Sequence, residues 1–161
     1  MKSKGISITA MCVALAMILS YVESLLPSPG VPGVKLGLAN LVVVFALYKL
    51  GGRAAAGISL LRVLLIALLF GHAASLLYSA SGAICSLGGM ILLKQTDKFS
   101  TVVVSVSGGV LHNLGQILAA CALLGSNVVY YLPLLIVSGL GAGVAVGVVA
   151  AILVKRIPFH G

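Results

Sequence analysis

The sequence predicts an all-α integral membrane protein, a bundle of six transmembrane helices with both termini in the cytoplasm. Hydrophobic residues make up 61% of the 161 residues and charged residues only 7%, whereas a soluble domain carries roughly 25% charged residues. The apolar residues fall into six segments, each close to the roughly 20 residues that a membrane-spanning helix needs. The basic residues lie beside alternate ends of these segments, as expected of a multi-pass topology.

The six predicted spans follow one another without a long linker, so residues 1–161 are expected to form a single domain. The first span is longer than the roughly 7–15 apolar residues of a signal peptide, and we interpret it as retained. The second is the weakest, because its uninterrupted apolar part is short. The third and fourth are separated only by FGHAAS, which predicts a tight hairpin. The spans are 6–26, 33–49, 54–71, 74–93, 101–124 and 131–154.

The basic residues predict the orientation. With an even number of spans both termini lie on one side, and eight of the ten Lys and Arg residues then fall on that side. Cytoplasmic loops are enriched in Lys and Arg, so we predict cytoplasmic termini. No aromatic stacking surface accompanies these bases, so they indicate topology in a lipid bilayer and not nucleic-acid binding. The eight are Lys2, Lys4, Lys49, Arg53, Lys94, Lys98, Lys155 and Arg156.

The sequence offers few groups for catalysis. It contains no P-loop, no HExxH and no cysteine cluster with metal-ligand spacing. Its two carboxylates, Glu23 and Asp97, are predicted on opposite sides of the membrane, so they cannot form a paired-carboxylate or carboxylate-bound magnesium site. We therefore expect no enzymatic activity, no cofactor, no metal and no energy source of its own.

Arg62 lies near the middle of the third span. An arginine at the bilayer centre costs roughly 2.5–3.5 kcal/mol on insertion scales, and it normally faces a cavity or a partner. One interpretation is a structural ion pair with Glu23, the only carboxylate predicted on the outer side. The other is binding of an anionic or carbonyl-bearing ligand, and the two are compatible.

Three polar residues of the fifth span, in GGVLHNLGQIL, are predicted to share one helix face. At about 100° per residue, Gln116 lies about 40° and Asn113 about 100° around the helix from His112. Interhelical hydrogen bonds, worth about 0.6 kcal/mol on average, explain single amides in membranes. Three such residues flanked by glycines favour a binding face, with helix packing as the alternative.

Further polar residues are predicted in the outer half of the bundle, namely Glu23, Asn40 and Tyr78. Lys35 follows three prolines in PSPGVPGVKLGLAN, so a helix is predicted to begin near Gly33, with free backbone N–H groups in its first turn. Lys35 would then line the mouth of an outward-facing pocket. Snorkelling of its side chain to lipid headgroups is the alternative.

Small residues at four-residue spacing let helix backbones approach closely. Gly139, Gly143 and Gly147 in the sixth span are expected to pack within the bundle. Ala10 and Ala14 in the first span repeat at the same spacing and are candidates for docking a partner helix.

Four stretches, PGVKLGLAN, LLRVLL, FGHAASLLYSASGAICS and HNLGQ, together resemble a small bacterial membrane family called Gx transporter, also labelled heptaprenyl diphosphate synthase component I. The resemblance covers essentially the whole chain and implies a multi-pass protein of the bacterial cytoplasmic membrane. That family in turn resembles the substrate-binding S components of energy-coupling factor transporters. Those are six-helix proteins with an outward pocket and an alanine-rich first helix that docks on a transmembrane coupling subunit, a pattern that Ala10 and Ala14 match.

The leading hypothesis is a substrate-binding membrane subunit of an importer, energised by a separate coupling subunit and two ATPases. Its ligand is expected to be a small organic compound, anionic or related to isoprenoids or vitamins. The predicted site residues are Glu23, Lys35, Asn40, Arg62, Tyr78, His112, Asn113 and Gln116.

Two alternatives remain open at the level of sequence. The first is a non-catalytic membrane component associated with a prenyl diphosphate synthase subunit, supporting heptaprenyl diphosphate synthesis for quinone formation. Catalytic synthases resemble one another in aspartate-rich motifs, whereas this chain has a single aspartate, Asp97. The second is a scaffold whose polar residues only hold the helices together.

Overall fold

The computed structural model describes residues 2–25, 36–70 and 73–158, and within these ranges the protein is helical and has no strand. Six α-helices and one short 3₁₀ helix follow each other closely. Apart from the start of the second helix, their bounds agree with the predicted spans to within a few residues. They are α1 (Lys2–Leu25), α2 (Leu38–Lys49), α3 (Gly52–Phe70), α4 (Ala73–Gln95), α5 (Thr101–Leu124), the 3₁₀ helix (Ser126–Tyr131) and α6 (Leu132–Arg156).

Five segments of the described chain are long and apolar enough to cross a membrane, and the protein is accordingly a multi-pass membrane protein. The remaining α-helix, α2, has only 12 residues. At 1.5 Å per residue it measures about 18 Å, whereas the hydrocarbon core of a bilayer is about 30 Å thick. The helix α2 is therefore a short apolar helix, and the orientation of the termini stays a prediction.

The start of α2 differs from the sequence-based expectation. The helix begins at Leu38 and not near Gly33, because Gly37 directly before it has a φ of 73°, in the left-handed region. Glycine adopts this conformation without the penalty that a Cβ imposes, and the chain turns into the helix there. Residues 26–35, which include Lys35, lie outside the described residues.

The helices form a ring in which neighbours contact each other in the order α1, α2, α6, α5, α4 and α3, and α3 returns to α1. The helix α2 also packs against α3. Its consecutive residues Val42, Val43 and Val44 are all buried, as are Ala46 and Leu47. The opposite face of α2 is only half-buried, so α2 lies in the wall of the bundle and contributes most of its surface to the core.

Glycines allow α4, α5 and α6 to pack closely. A Cβ on Gly143 of α6 would lie 2.6 Å from the Cα of Val106 on α5, and a Cβ on Gly115 of α5 would lie 2.6 Å from the carbonyl oxygen of Ser81 on α4. Real Cβ atoms do not approach a backbone this closely. The expected packing of the sixth-span glycines within the bundle is therefore confirmed, and α5 is held between two neighbours at backbone contact.

We expect Gly143→Ala to lower the free energy of unfolding by about 1–3 kcal/mol, because the added methyl group overpacks a contact with backbone. The matched control is Gly141→Ala on the same helix, where a Cβ meets nothing within 4 Å. Thermal unfolding in detergent micelles measures both variants. Equal midpoints for the two would contradict the close α5–α6 contact.

Candidate ligand-binding site

A cavity of about 180 Å³ lies inside the bundle, between α1, α3, α4, α5, α6 and the start of α2. Gly37 and Asn40 line it from α2, and Glu23 and Ser24 from the last turn of α1. The cavity therefore lies toward the end of the bundle where α1 ends and α2 begins. The basic residues predict that this end of the bundle faces away from the cytoplasm.

The lining combines polar and apolar side chains. Val63 and Ile66 of α3 and Leu87 and Met90 of α4 supply apolar walls. Apolar walls with a few oriented polar groups are typical of small-molecule sites. The polar lining residues are Ser20, Glu23, Ser24, Asn40, Ser59, Arg62, Ser75, Ser79, Ser86, His112, Asn113 and Gln116.

Most of the residues predicted to bind a ligand line this one cavity, although they come from four different helices. Tyr78 is half-buried and does not line it, whereas Lys35 lies outside the described residues. The six predicted residues that line the cavity are Glu23, Asn40, Arg62, His112, Asn113 and Gln116. The two predicted docking residues, Ala10 and Ala14, are exposed on the surface of α1.

Arg62 lines the cavity with only part of its hydrogen-bonding capacity used. Its Nη1 donates to Ser20 Oγ at 3.2 Å. Its Nε is buried and has no hydrogen-bond partner among the described residues. The Glu23 carboxylate attracts the guanidinium electrostatically, yet the hydrogen bond recorded for each group is to another residue. The simple ion pair considered from the sequence is therefore a longer-range attraction.

Glu23 stands at the amino end of α2. Its Oε1 accepts a hydrogen bond of 2.5 Å from the backbone N–H of Gly37, the residue that precedes the helix. A helix N-terminus carries a partial positive charge and favours an anion. The sequence predicts free backbone N–H groups at the start of this helix, and in the structure the protein's own carboxylate binds at that start.

Asn113 connects the cavity to α6. Its Nδ2 donates to the carbonyl oxygen of Leu135 at 2.5 Å and to Ser138 Oγ at 3.4 Å. Gly139 permits this arrangement, because a Cβ there would lie 2.9 Å from Nδ2. Asn113 Nδ2 therefore joins α5 to α6, as expected if the polar face of α5 serves helix packing. The same residue also lines the cavity.

The α4 backbone lies directly against His112 and Gln116. A Cβ on Gly82 would lie 2.8 Å from the His112 carbonyl oxygen and 2.9 Å from Gln116 Cγ. Gly82 therefore brings α4 close to the polar face of α5, and the two helices form one continuous wall of the cavity.

Three serines of α4 were not among the predicted site residues, although they line the cavity. Ser75, Ser79 and Ser86 are spaced by four and seven residues, which places them on one helix face. Tyr78 is one residue from Ser79 and points about 100° away from that face. This spacing in SLLYSASGAICS is the signal that would have found them. Ser86 is 2% exposed, and its Oγ has no partner among the described residues.

Apolar helices arranged around a cavity with buried polar groups define a multi-pass membrane protein with a polar interior site. Among the described residues, no group of three or more His, Cys, Asp or Glu side chains is placed to hold a metal ion. The chain belongs to the heptaprenyl diphosphate synthase component I family, whose profile matches residues 12–153, from α1 to α6. Comparison with curated proteins and with solved structures finds no significant match.

We expect Glu23→Ala to lower the free energy of unfolding by about 1.5–3 kcal/mol, the range for a hydrogen bond to a charged group. Glu23→Gln keeps an acceptor for the Gly37 N–H and loses only the charge, so its effect should be smaller. Thermal unfolding in micelles gives the order of the two variants. Equal losses would show that the charge alone matters and that the Gly37 bond contributes nothing.

We expect Ser86→Ala and Ser105→Ala each to raise the free energy of unfolding by about 1 kcal/mol, because each removes a buried hydroxyl that has no partner in the described structure. Ser86 lines the cavity, whereas Ser105 does not. Only Ser86→Ala should therefore reduce the further stabilisation that a bound ligand confers. Thermal unfolding with and without ligand separates the two, and an equal loss of ligand effect would contradict the assignment of Ser86 to the site.

Proposed function

We propose that the protein is the substrate-binding membrane subunit of an importer, which captures a small organic ligand on the outer side of a bacterial cytoplasmic membrane. The cavity is the observation that carries this proposal. Two residues that line it hold buried polar atoms without a partner among the described residues, Arg62 Nε and Ser86 Oγ. Buried polar groups are nearly always hydrogen-bonded, and the polar groups of a ligand would supply the missing partners.

The scaffold hypothesis accounts for only part of this arrangement. Side chains whose sole role is to hold helices together bond to each other or to neighbouring backbone, as Asn113 does with Leu135 and Arg62 Nη1 does with Ser20. It gives no role to Arg62 Nε or Ser86 Oγ, each of which costs about 1–3 kcal/mol when left unsatisfied.

The size of the cavity limits the ligand. Its volume of about 180 Å³ is near that of an engineered cavity of about 150 Å³ that holds benzene, and below the roughly 300–1,000 Å³ of drug-sized sites. A compact compound, close in size to a single small ring, is therefore the proposed class. A vitamin fragment or a short isoprenoid fits this limit, whereas a polyprenyl chain does not.

The charges favour an anionic ligand. Arg62 is the one cationic side chain among the described lining residues, and Glu23 is already bonded to the Gly37 N–H. Inside a membrane, where the dielectric constant is low, a guanidinium attracts an anion far more strongly than it does in water. An anion at Arg62 would also offset the cost of keeping this arginine within a span.

Transport would require partners that supply energy. We propose a transmembrane coupling subunit and two ATPases, as in the transporters that the sequence resembles. Ala10 and Ala14 support this proposal, because both are exposed on α1 and their small side chains would admit a partner helix at close range.

The second candidate function rests on the family description. The protein would then be a membrane component associated with a heptaprenyl diphosphate synthase. We propose that it is not the catalytic subunit, because Glu23 and Asp97 are its only carboxylates. Asp97 follows the end of α4, away from the cavity. Co-purification with a soluble prenyltransferase, and loss of that enzyme's activity without this chain, would favour this function.

The test of the proposed function begins with the purified protein. Mass spectrometry identifies compounds that remain bound in mild detergent, and their uptake into proteoliposomes is then measured with and without the coupling subunit and ATPases. ATP-dependent uptake supports an importer. The absence of any bound compound, together with a stable complex with a prenyltransferase, would contradict it.

We expect Arg62→Met to abolish ligand binding and uptake while leaving the ligand-free protein at least as stable. Replacing a buried charged group by an apolar one of similar volume is often neutral, or stabilising by about 1–4 kcal/mol. The matched control is Arg53→Met on the same helix, where Arg53 is exposed. Binding assays and thermal unfolding of both variants give the result. A lower unfolding midpoint of Arg62→Met together with unchanged ligand affinity would instead support the scaffold hypothesis.

A further inference from the structure

The side-chain amide of Asn113 has a fixed orientation. The carbonyl oxygen of Leu135 can only accept a hydrogen bond, so the Asn113 atom 2.5 Å from it is the NH₂ group and not the oxygen. Leu135 and Ser138, the two groups bonded by Nδ2, do not line the cavity, whereas Asn113 does. Asn113 therefore has Oδ1, a hydrogen-bond acceptor, left to present to the cavity.

This orientation is difficult to reverse. Asn113 is 8% exposed, and its Nδ2 lies against the backbone of Gly139, where even a methyl group would collide. Rotating the amide would place two oxygens against each other at Leu135 and leave a buried NH₂ without a carbonyl partner. Each such unsatisfied group is costly in a water-free interior. The acceptor is therefore a constant feature of the site.

Arg62 offers the opposite chemistry. Its Nη1 donates to Ser20, whereas its Nε is buried and has no partner among the described residues. Nε and Nη2 together form the side edge of the guanidinium, with two parallel N–H donors. Such an edge pairs with two oxygens of one carboxylate or phosphate in a bidentate manner.

We infer that the ligand carries a carboxylate or phosphate for Arg62 and, at its other end, an O–H or N–H donor for Asn113 Oδ1. This inference rests on the proposed function and narrows its ligand to compact hydroxy acids, amino acids or hydroxyalkyl phosphates. Of the anionic or carbonyl-bearing ligands considered from the sequence, it favours the anionic ones. A ligand carbonyl would meet Oδ1 as acceptor against acceptor, which is repulsive.

The test compares probes that differ only in the donor. The purified wild-type protein in detergent is titrated with three matched pairs at concentrations up to about 10 mM, which detects dissociation constants in the millimolar range. The pairs are para-hydroxybenzoate with benzoate, gamma-hydroxybutyrate with butyrate, and hydroxypropyl phosphate with propyl phosphate. The first two present a carboxylate to Arg62 and the third a phosphate. Isothermal titration calorimetry or a thermal shift measures affinity.

In the two carboxylate pairs, or in the phosphate pair, we expect the compound with the hydroxyl group to bind at least about tenfold more tightly than the compound without it. The compound without a hydroxyl leaves the buried acceptor unpaired. Arg62→Met should abolish binding of both members, and Ser105→Ala should change neither. Equal affinity within every pair, or no binding of any probe, overturns the inference. A co-purified compound that is transported but lacks an O–H or N–H donor also overturns the inference, although it supports the proposed function. The proposed function itself fails if no compound is transported.

Discussion

The cavity depends on the late start of α2, which begins only at Leu38. From the Leu50–Gly51 turn, α3 rises over 19 residues, or about 28 Å, whereas α2 reaches only about 18 Å. The helix α2 therefore stops roughly 10 Å short of α3. Among the described residues, the space beyond Asn40 is lined by side chains of the surrounding helices. The hydrogen bond from the Gly37 N–H to Glu23 holds the end of α1 beside the start of α2.

Two positive groups and one negative group lie at this level of the bundle, and they are not all paired with each other. The α2 N-terminus and the Arg62 guanidinium are both positive, and Glu23 is the one carboxylate among the described lining residues. Glu23 bonds to the first and attracts the second at longer range. The guanidinium thus keeps Nε without a partner in a region where such groups are expensive.

The sequence predicted the helices well because hydrophobic length and Lys/Arg placement are local signals. It also predicted six of the twelve polar lining residues, since an arginine or a triad such as His112, Asn113 and Gln116 is expected to face an interior. It failed where geometry is decided by neighbours. The start of α2 depends on the left-handed conformation of Gly37, and the orientation of the Asn113 amide depends on a carbonyl of α6, 22 residues away. Neither can be read from a pattern of residue types.

The cavity also limits how the family description can apply to this chain. A heptaprenyl group has seven five-carbon units, whereas about 180 Å³ is near the space that a single aromatic ring occupies. Val63 and Leu87 line the cavity and make its walls apolar, but the space is too small for a chain of this length. A role in polyprenyl synthesis would therefore act through the surface of the bundle or through a short precursor held beside Arg62. Under the proposed function the site would recognise a small polar head, and a long apolar product would lie elsewhere.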